Sequence, residues 1–183
     1  MVNMNRLKFI SYRFFIFCFV SLCFSYENPF INQQTDNTLH KVEVGINSIS
    51  QITDDEYIIS VYAINPYNPI AGIQFKIQPS DLFEVIEVYG GRSEEKDFEI
   101  HFNKTGTILG FSMVANTIDP SIIVTGPSRL NSNILLKIKV KSNQLNKYDM
   151  ESVINFDCVF ASKKGEVLET KFIPFKLSQI EKR

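Results

Sequence analysis

From Lys41 onward, apolar and polar residues alternate with a period of two in short runs. In "IAGIQFKIQ", Ala71, Ile73, Phe75 and Ile77 fall on one side, and Gln74, Lys76 and Gln78 on the other. "DFEIHFN" sets Phe98, Ile100 and Phe102 against Glu99, His101 and Asn103, and "NILLKIKVK" sets Ile134, Leu136, Ile138 and Val140 against Lys137, Lys139 and Lys141. Successive side chains of a strand point to opposite faces, so each run predicts a strand with one face in the core. "EYIISVYAI" and "TILGFSMVA" are apolar on both sides, which predicts central strands covered on both faces. Asn, Asp, Gly and Pro clusters separate the runs at intervals of about ten residues, the rhythm of an all-β antiparallel sandwich or barrel. No helical period holds for three turns, and a short helix is expected only in "NQLNKYDMESV".

The stretch "NPYNPIAGIQFKI" joins two of these runs. Pro66 and Pro69 fix φ and remove two donors, so "NPYNP" reads as a turn that ends one strand and aims the next. Gly72 then stands where a strand side chain is expected, which predicts a bulge or a close backbone approach.

Ahead of the strand region the pattern changes. "MVNMNRLKFISYR" carries Arg6, Lys8 and Arg13 with no acid, and the apolar run "FFIFCFVSLCF" follows. That order predicts a cleaved export signal over residues 1–25, too short an apolar run for the about 20 residues of a membrane-spanning helix. Ser25 or Cys23 precedes the cut; a lipidated Cys23 is an alternative, although Leu22 stands before it. Removing 25 of the 183 residues leaves 158, and losing three basic residues moves the formal charge from −1 to −4. A surplus this mild leaves no electrostatic footprint for nucleic acid or for a membrane after cleavage. Residues 26–40, rich in Asn, Gln and Thr, read as a flexible leader, and residues 41–178 as one domain with length enough for a core.

The chemical inventory points away from catalysis. Only Cys158 survives cleavage; it shares parity with Ile154, Phe156 and Phe160 and reads as a small core residue. His40 and His101 make no metal-ligand spacing with it, and His101 alternates outward. The acids Asp54, Asp55, Glu94, Glu95 and Asp97 fall where loops are expected and read as solvated charge, with calcium as the alternative. "YGGRS" has no P-loop Lys and no helix expected after it, so it reads as a turn. "NKT" at 103–105 is a glycosylation sequon, informative only in a eukaryotic secretory route. The Lys137, Lys139, Lys141 stripe reads as a solubilising face. No cofactor, metal site or catalytic residue is expected.

"EYIISVYAINPYNPIAGIQFKIQPSDLFEV" resembles the early part of cohesin-like domains of the carbohydrate-binding-domain superfamily. "GTILGFSMVANTI" and "NILLKIKVK" are similar to the family's later central strands, and "INFDCVFASKKGEVL" to its closing hairpin. The resemblance spans about Val42 to Phe175. It implies a jelly-roll β-sandwich of about nine strands that binds and does no chemistry. Some members bind the dockerin modules of polysaccharide-degrading enzymes, and relatives bind carbohydrate. The implied reading is a secreted, extracellular or envelope-associated monomer that recognises a dockerin-like protein module or a glycan in polysaccharide use. An envelope assembly protein without a sugar ligand is the alternative. Carried over by strand, the implied contact face shows Gln74, Lys76, Ser112, Lys137 and Lys139. The chain has no Trp, so sugar stacking would fall to Tyr57, Tyr62, Tyr67, Tyr89 or Tyr148, each read as core or rim packing.

Overall fold

A computed structural model of the chain describes residues 41–142 and 144–181. The expected export signal and leader, and His40, lie outside the described residues. The described chain forms β1 (Val42–Gln51), β2 (Glu56–Ile64), β3 (Gly72–Gln78), β4 (Glu84–Tyr89), α1 (Gly91–Glu95), β5 (Glu99–Phe102) and β6 (Thr107–Phe111). It continues with β7 (Ile134–Lys141), β8 (Val153–Ala161), β9 (Val167–Leu168), β10 (Thr170–Ile173) and β11 (Phe175–Lys176). The first sheet has the order β10-β1-β2-β7-β4 and the second β11-β8-β3-β6-β5, with β9 on β8. Every strand pair is antiparallel except β1 with β10. The result is an antiparallel jelly-roll β-sandwich. Nine of the described strands run four residues or more, and β9 and β11 are two-residue additions.

The period-two pattern places the core between the sheets. Ile73, Phe75 and Ile77 of β3, Ile108 of β6 and Phe160 of β8 join Ile59, Val61, Leu136, Ile138 and Val140 from the first sheet in one buried cluster. Phe75 stacks on Phe156 at 5.7 Å between ring centroids and tilts against Phe160 at 6.0 Å. Phe156 meets Phe172 of β10 edge-on at 5.3 Å, an aromatic link from one sheet to the other. Each buried ring contributes about 1.5–3 kcal/mol through the apolar surface it removes from water.

The structure differs from the sequence pattern at several points. Gly72 pairs in unbroken register with Phe111 and Ala161, and a Cβ there would lie 3.5 Å from the Ala161 Cβ, an ordinary contact. It marks neither a bulge nor a close approach. The register shifts elsewhere: between Ile46 and Ser48 of β1, between Val85 and Glu87 of β4, and in β7, where Val61 pairs with Leu136 and Tyr62 with Ile134. Leu135 is thus extra, and it is buried beside Leu136. "YGGRS" leads into α1, a helix the pattern did not suggest. Gly91 has φ +66°, and a Cβ on it would sit 2.6 Å from the Leu135 carbonyl oxygen, so only glycine lets α1 lie this close to β7. "NQLNKYDMESV" holds no α-helix, only a 3-10 turn at Leu145–Lys147. The sandwich also runs past residue 178: the Glu181 N–H donates to the Ile49 carbonyl at 2.9 Å, and the Gln51 N–H to the Glu181 carbonyl at 3.1 Å.

Candidate functional site

The outer face of the second sheet is built by register. Val159, Gln74, Leu109 and His101 form one cross-strand row over β8, β3, β6 and β5. Ala161, Gly72, Phe111 and Glu99 form the next, and Asp157, Lys76 and Thr107 lie on the other side of the first row. Because Ile73, Phe75 and Ile108 occupy the core positions between them, these rows point away from it. An antiparallel sheet with one solvated face normally alternates cleanly to polar residues. Here Leu109 is 43% exposed and Val159 45%. His101 stacks on Phe111 at 5.9 Å, with its Nε2 3.9 Å from the Glu99 carboxylate. Met113 and Val114, just past β6, are exposed, as is Val167, the register partner of Ala161. The small residues Gly72 and Ala161 keep this end shallow, while Lys76, Asp157 and Gln78 make the other end polar. The Gln78 Nε2 donates to the Asp157 carboxylate at 3.1 Å.

On the inner side, Gly110 sets how β6 lies between its neighbours. A Cβ there would meet Ile100 Cδ1 at 2.5 Å and Ile73 Cγ1 at 2.7 Å. Both isoleucines therefore pack over a bare backbone.

Of the face expected from the resemblance, Gln74 and Lys76 lie here. Lys137 and Lys139 do not, because β7 belongs to the first sheet, whose outer face points the opposite way. The lysine stripe there is largely paired: Lys139 with Glu56 at 3.1 Å and Lys141 with Asp55 at 2.8 Å. Ser112 has the parity of Ile108 and Gly110, opposite to that of Leu109 and Phe111, and lies beyond the strand end. Its Oγ accepts the Val114 N–H at 3.3 Å. Leu109, Phe111, Val159 and Ala161 were missed. For Leu109 and Phe111 the signal is the two-sided apolar pattern of "TILGF", which suggests a covered strand; for Val159 and Ala161 it is a parity on β8 opposite to that of Ile154, Phe156 and Phe160. β2, apolar on both sides like "TILGF", does bury its Tyr62 and Ile64.

The other candidates disperse. Cys158 is half-buried opposite Phe75, and burial, aided by the Asp157 charge, pushes its thiol up to about 11. The Lys141 hydrogen bond holds Asp55 below the usual carboxylate range. Glu94 accepts the Gly90 N–H at 2.5 Å, and Asp97 accepts from Asn116 at 3.2 Å. Among the described residues no three His, Cys, Asp or Glu side chains gather as a metal site, and no helix is long and apolar enough to cross a membrane. Tyr57 and Tyr62 are buried, and Tyr148 donates to Asp81 at 2.7 Å.

No protein-family model matches this sequence, and no curated protein matches it. Solved structures do. A type I cohesin–dockerin complex of Clostridium thermocellum, Coh-OlpC with Doc435, contains a chain similar to this one. The TM-score is 0.52 at 13% identity, covering 79% of this chain and 96% of that one. The third ScaB cohesin of R. flavefaciens, in complex with a group 1 dockerin, gives 0.49 at 13% identity over 75% and 94%. A non-cellulosomal cohesin from the archaeon Archaeoglobus fulgidus gives 0.49 at 11% over 73% and 87%. The likeness is one of fold: this chain is a cohesin-like jelly-roll β-sandwich.

Proposed function

We propose that the chain is a non-catalytic module that docks a partner protein on the outer face of its second sheet. Exposed Leu109 and Val159, with half-buried Phe111 and Ala161 in the adjoining row, carry this reading, because apolar side chains gathered on a solvated sheet face mark an interaction surface. The mixed rim supports it too: an apolar centre edged by Lys76, Asp157, Gln78 and Glu99 has the anatomy of a protein interface. Two of the similar solved structures are cohesins in complex with dockerins, so a dockerin-like module is the partner class we propose. The setting is extracellular, on the strength of the N-terminal export pattern, and the work served is polysaccharide use by the partner's enzymes.

The test pairs two double variants of the exported protein. Leu109→Glu with Val159→Glu should abolish capture of the partner from the source organism's extracellular fraction while the fold persists. Lys137→Glu with Lys139→Glu, on the opposite sheet, should leave capture unchanged. The reverse result would remove the proposed face, and release of sugar from a polysaccharide by the purified protein would end the non-catalytic reading.

A further inference from the structure

Residues 112–133 connect β6 to β7 with a single 3-10 turn, Asn131–Asn133. A stretch longer than about 12–15 residues without a regular element is uncommon, and where ordered it is usually functional. This one is ordered by side chains. From α1, the half-buried Arg92 reaches into it with both Nη groups bonded. Nη1 donates to the Ala63 carbonyl at 2.9 Å, Ser121 Oγ at 3.2 Å and Asn133 Oδ1 at 3.3 Å. Nη2 donates to Asn65 Oδ1 at 3.1 Å and to the Asp119 carbonyl.

All five acceptors are neutral oxygens, and they come from the end of β2, the "NPYNP" turn and both halves of the connection. Asn65 ties the same segments again: its Nδ2 donates to the carbonyls of Asn68 at 2.8 Å and Asp119 at 3.0 Å, and its backbone N–H to Ser121 Oγ at 3.0 Å. The Ser121 N–H returns a bond to the Asn65 carbonyl at 3.0 Å. Asn133 Nδ2 holds the carbonyls of Ile123 and Arg129 at 2.5 and 2.8 Å. Outside this cluster, Lys96 pairs with Asp119 at 2.6 Å.

A cleft of about 380 Å³ opens beside these groups, lined in part by Arg92, Lys96, Asp119 and Ile122. Among the described residues no buried side-chain nitrogen or oxygen lacks a partner. The buried groups of the cluster are satisfied by one another. Burial lowers the Arg92 pKa from its ordinary value, with Glu95 and Asp119 opposing. A charge held this way acts through its geometry: only a planar fork reaches five oxygens at once.

We infer that Arg92 is a clamp that holds residues 119–124 as a preformed strap, and that without the clamp this strap opens locally while the sandwich stays folded. The strap leads out of the Met113–Val114 edge of the docking face and displays Ile122, which is 97% exposed. Fixing it in advance removes part of the ordering cost of association, a consequence that rests on the proposed docking role. The clamp itself is measurable without a partner, so its failure and that of the docking face are separate results.

Hydrogen exchange read by mass spectrometry on the exported protein is the test. The Ser121 amide, bonded to the Asn65 carbonyl, reports on the strap, and those of β3, β8 and the buried Ile118 on the sandwich. Arg92→Ala should speed strap exchange by about tenfold or more, with β3 and β8 changed by less than about twofold. Arg92→Lys should fall between. Unchanged strap exchange in Arg92→Ala overturns the clamp. If that variant unfolds, Arg92→Lys decides: faster exchange confined to the strap upholds the inference, and faster exchange everywhere, or nowhere, overturns it.

Discussion

Cys158 and Phe75 face each other across the β8–β3 ladder, and their environments give two expectations at the scale of single side chains. Burial raises the Cys158 thiol from the ordinary 9.0 to about 11. The unfolded chain gives up this proton first. Stability from this site is therefore complete below pH 9 and is lost as the pH rises through 11. In Cys158→Ala that part of the alkaline decline in the urea midpoint should vanish. Peptide mapping after iodoacetamide at pH 8 should find Cys158 labelled slowly until denaturant is added, because the thiolate is the reactive form. Phe75→Asp removes about 1.5–3 kcal/mol of ring burial and adds a desolvated charge, so it should unfold the domain. Lys76→Gln, one residue on and facing out, should stay within about 0.5 kcal/mol. Equal urea midpoints for the two variants would mean that β3 has the other register.

At the scale of elements, two glycines in paired strands should behave in opposite ways. Gly110→Ala puts a methyl group 2.5 Å from Ile100 Cδ1 and 2.7 Å from Ile73 Cγ1, an overpacking expected to cost about 1–3 kcal/mol in denaturant unfolding. Gly72→Ala meets only an ordinary contact with Ala161 and should gain about 0.5–1 kcal/mol by relieving backbone entropy. Nothing local distinguishes the two: each is a lone glycine in an apolar run, and what decides is the neighbouring strand. The same reason separates what was legible from what was not. β3 could be read with its faces because a period of two is a property of consecutive residues. Leu135 could not, since a bulge shows only against a partner strand. Leu109 looked covered because apolarity says that a residue prefers cover, and cannot say whether this chain or another molecule supplies it. α1 stayed hidden because five residues are too few for a helical period, and its start depends on Gly91 fitting against β7.

For the whole molecule, the sheet order settles which surfaces belong together. β3, β6 and β7 each read as a half-buried or central strand, and nothing in their patterns says that β7 pairs with β2 and β4 while β3 and β6 pair with each other. The lysines of β7 consequently left the candidate face, and Leu109 and Val159 entered it. The same order has a mechanical side. β1 runs parallel to β10, with Val42 opposite Thr170 and Gly45 opposite Ile173, and Ser50 bridges Glu181 in the same sense. Tension drawing residue 42 and residue 181 in opposite directions lies along these strands, so their bonds are loaded in shear and must fail together. An edge hairpin such as β5–β6 would be peeled open one bond after another. Single-molecule stretching through residues 41 and 181 should therefore show one abrupt rupture, at a higher force than stretching through residues 99 and 111. A binding module drawn between a partner and an anchor would hold until its first strand slips.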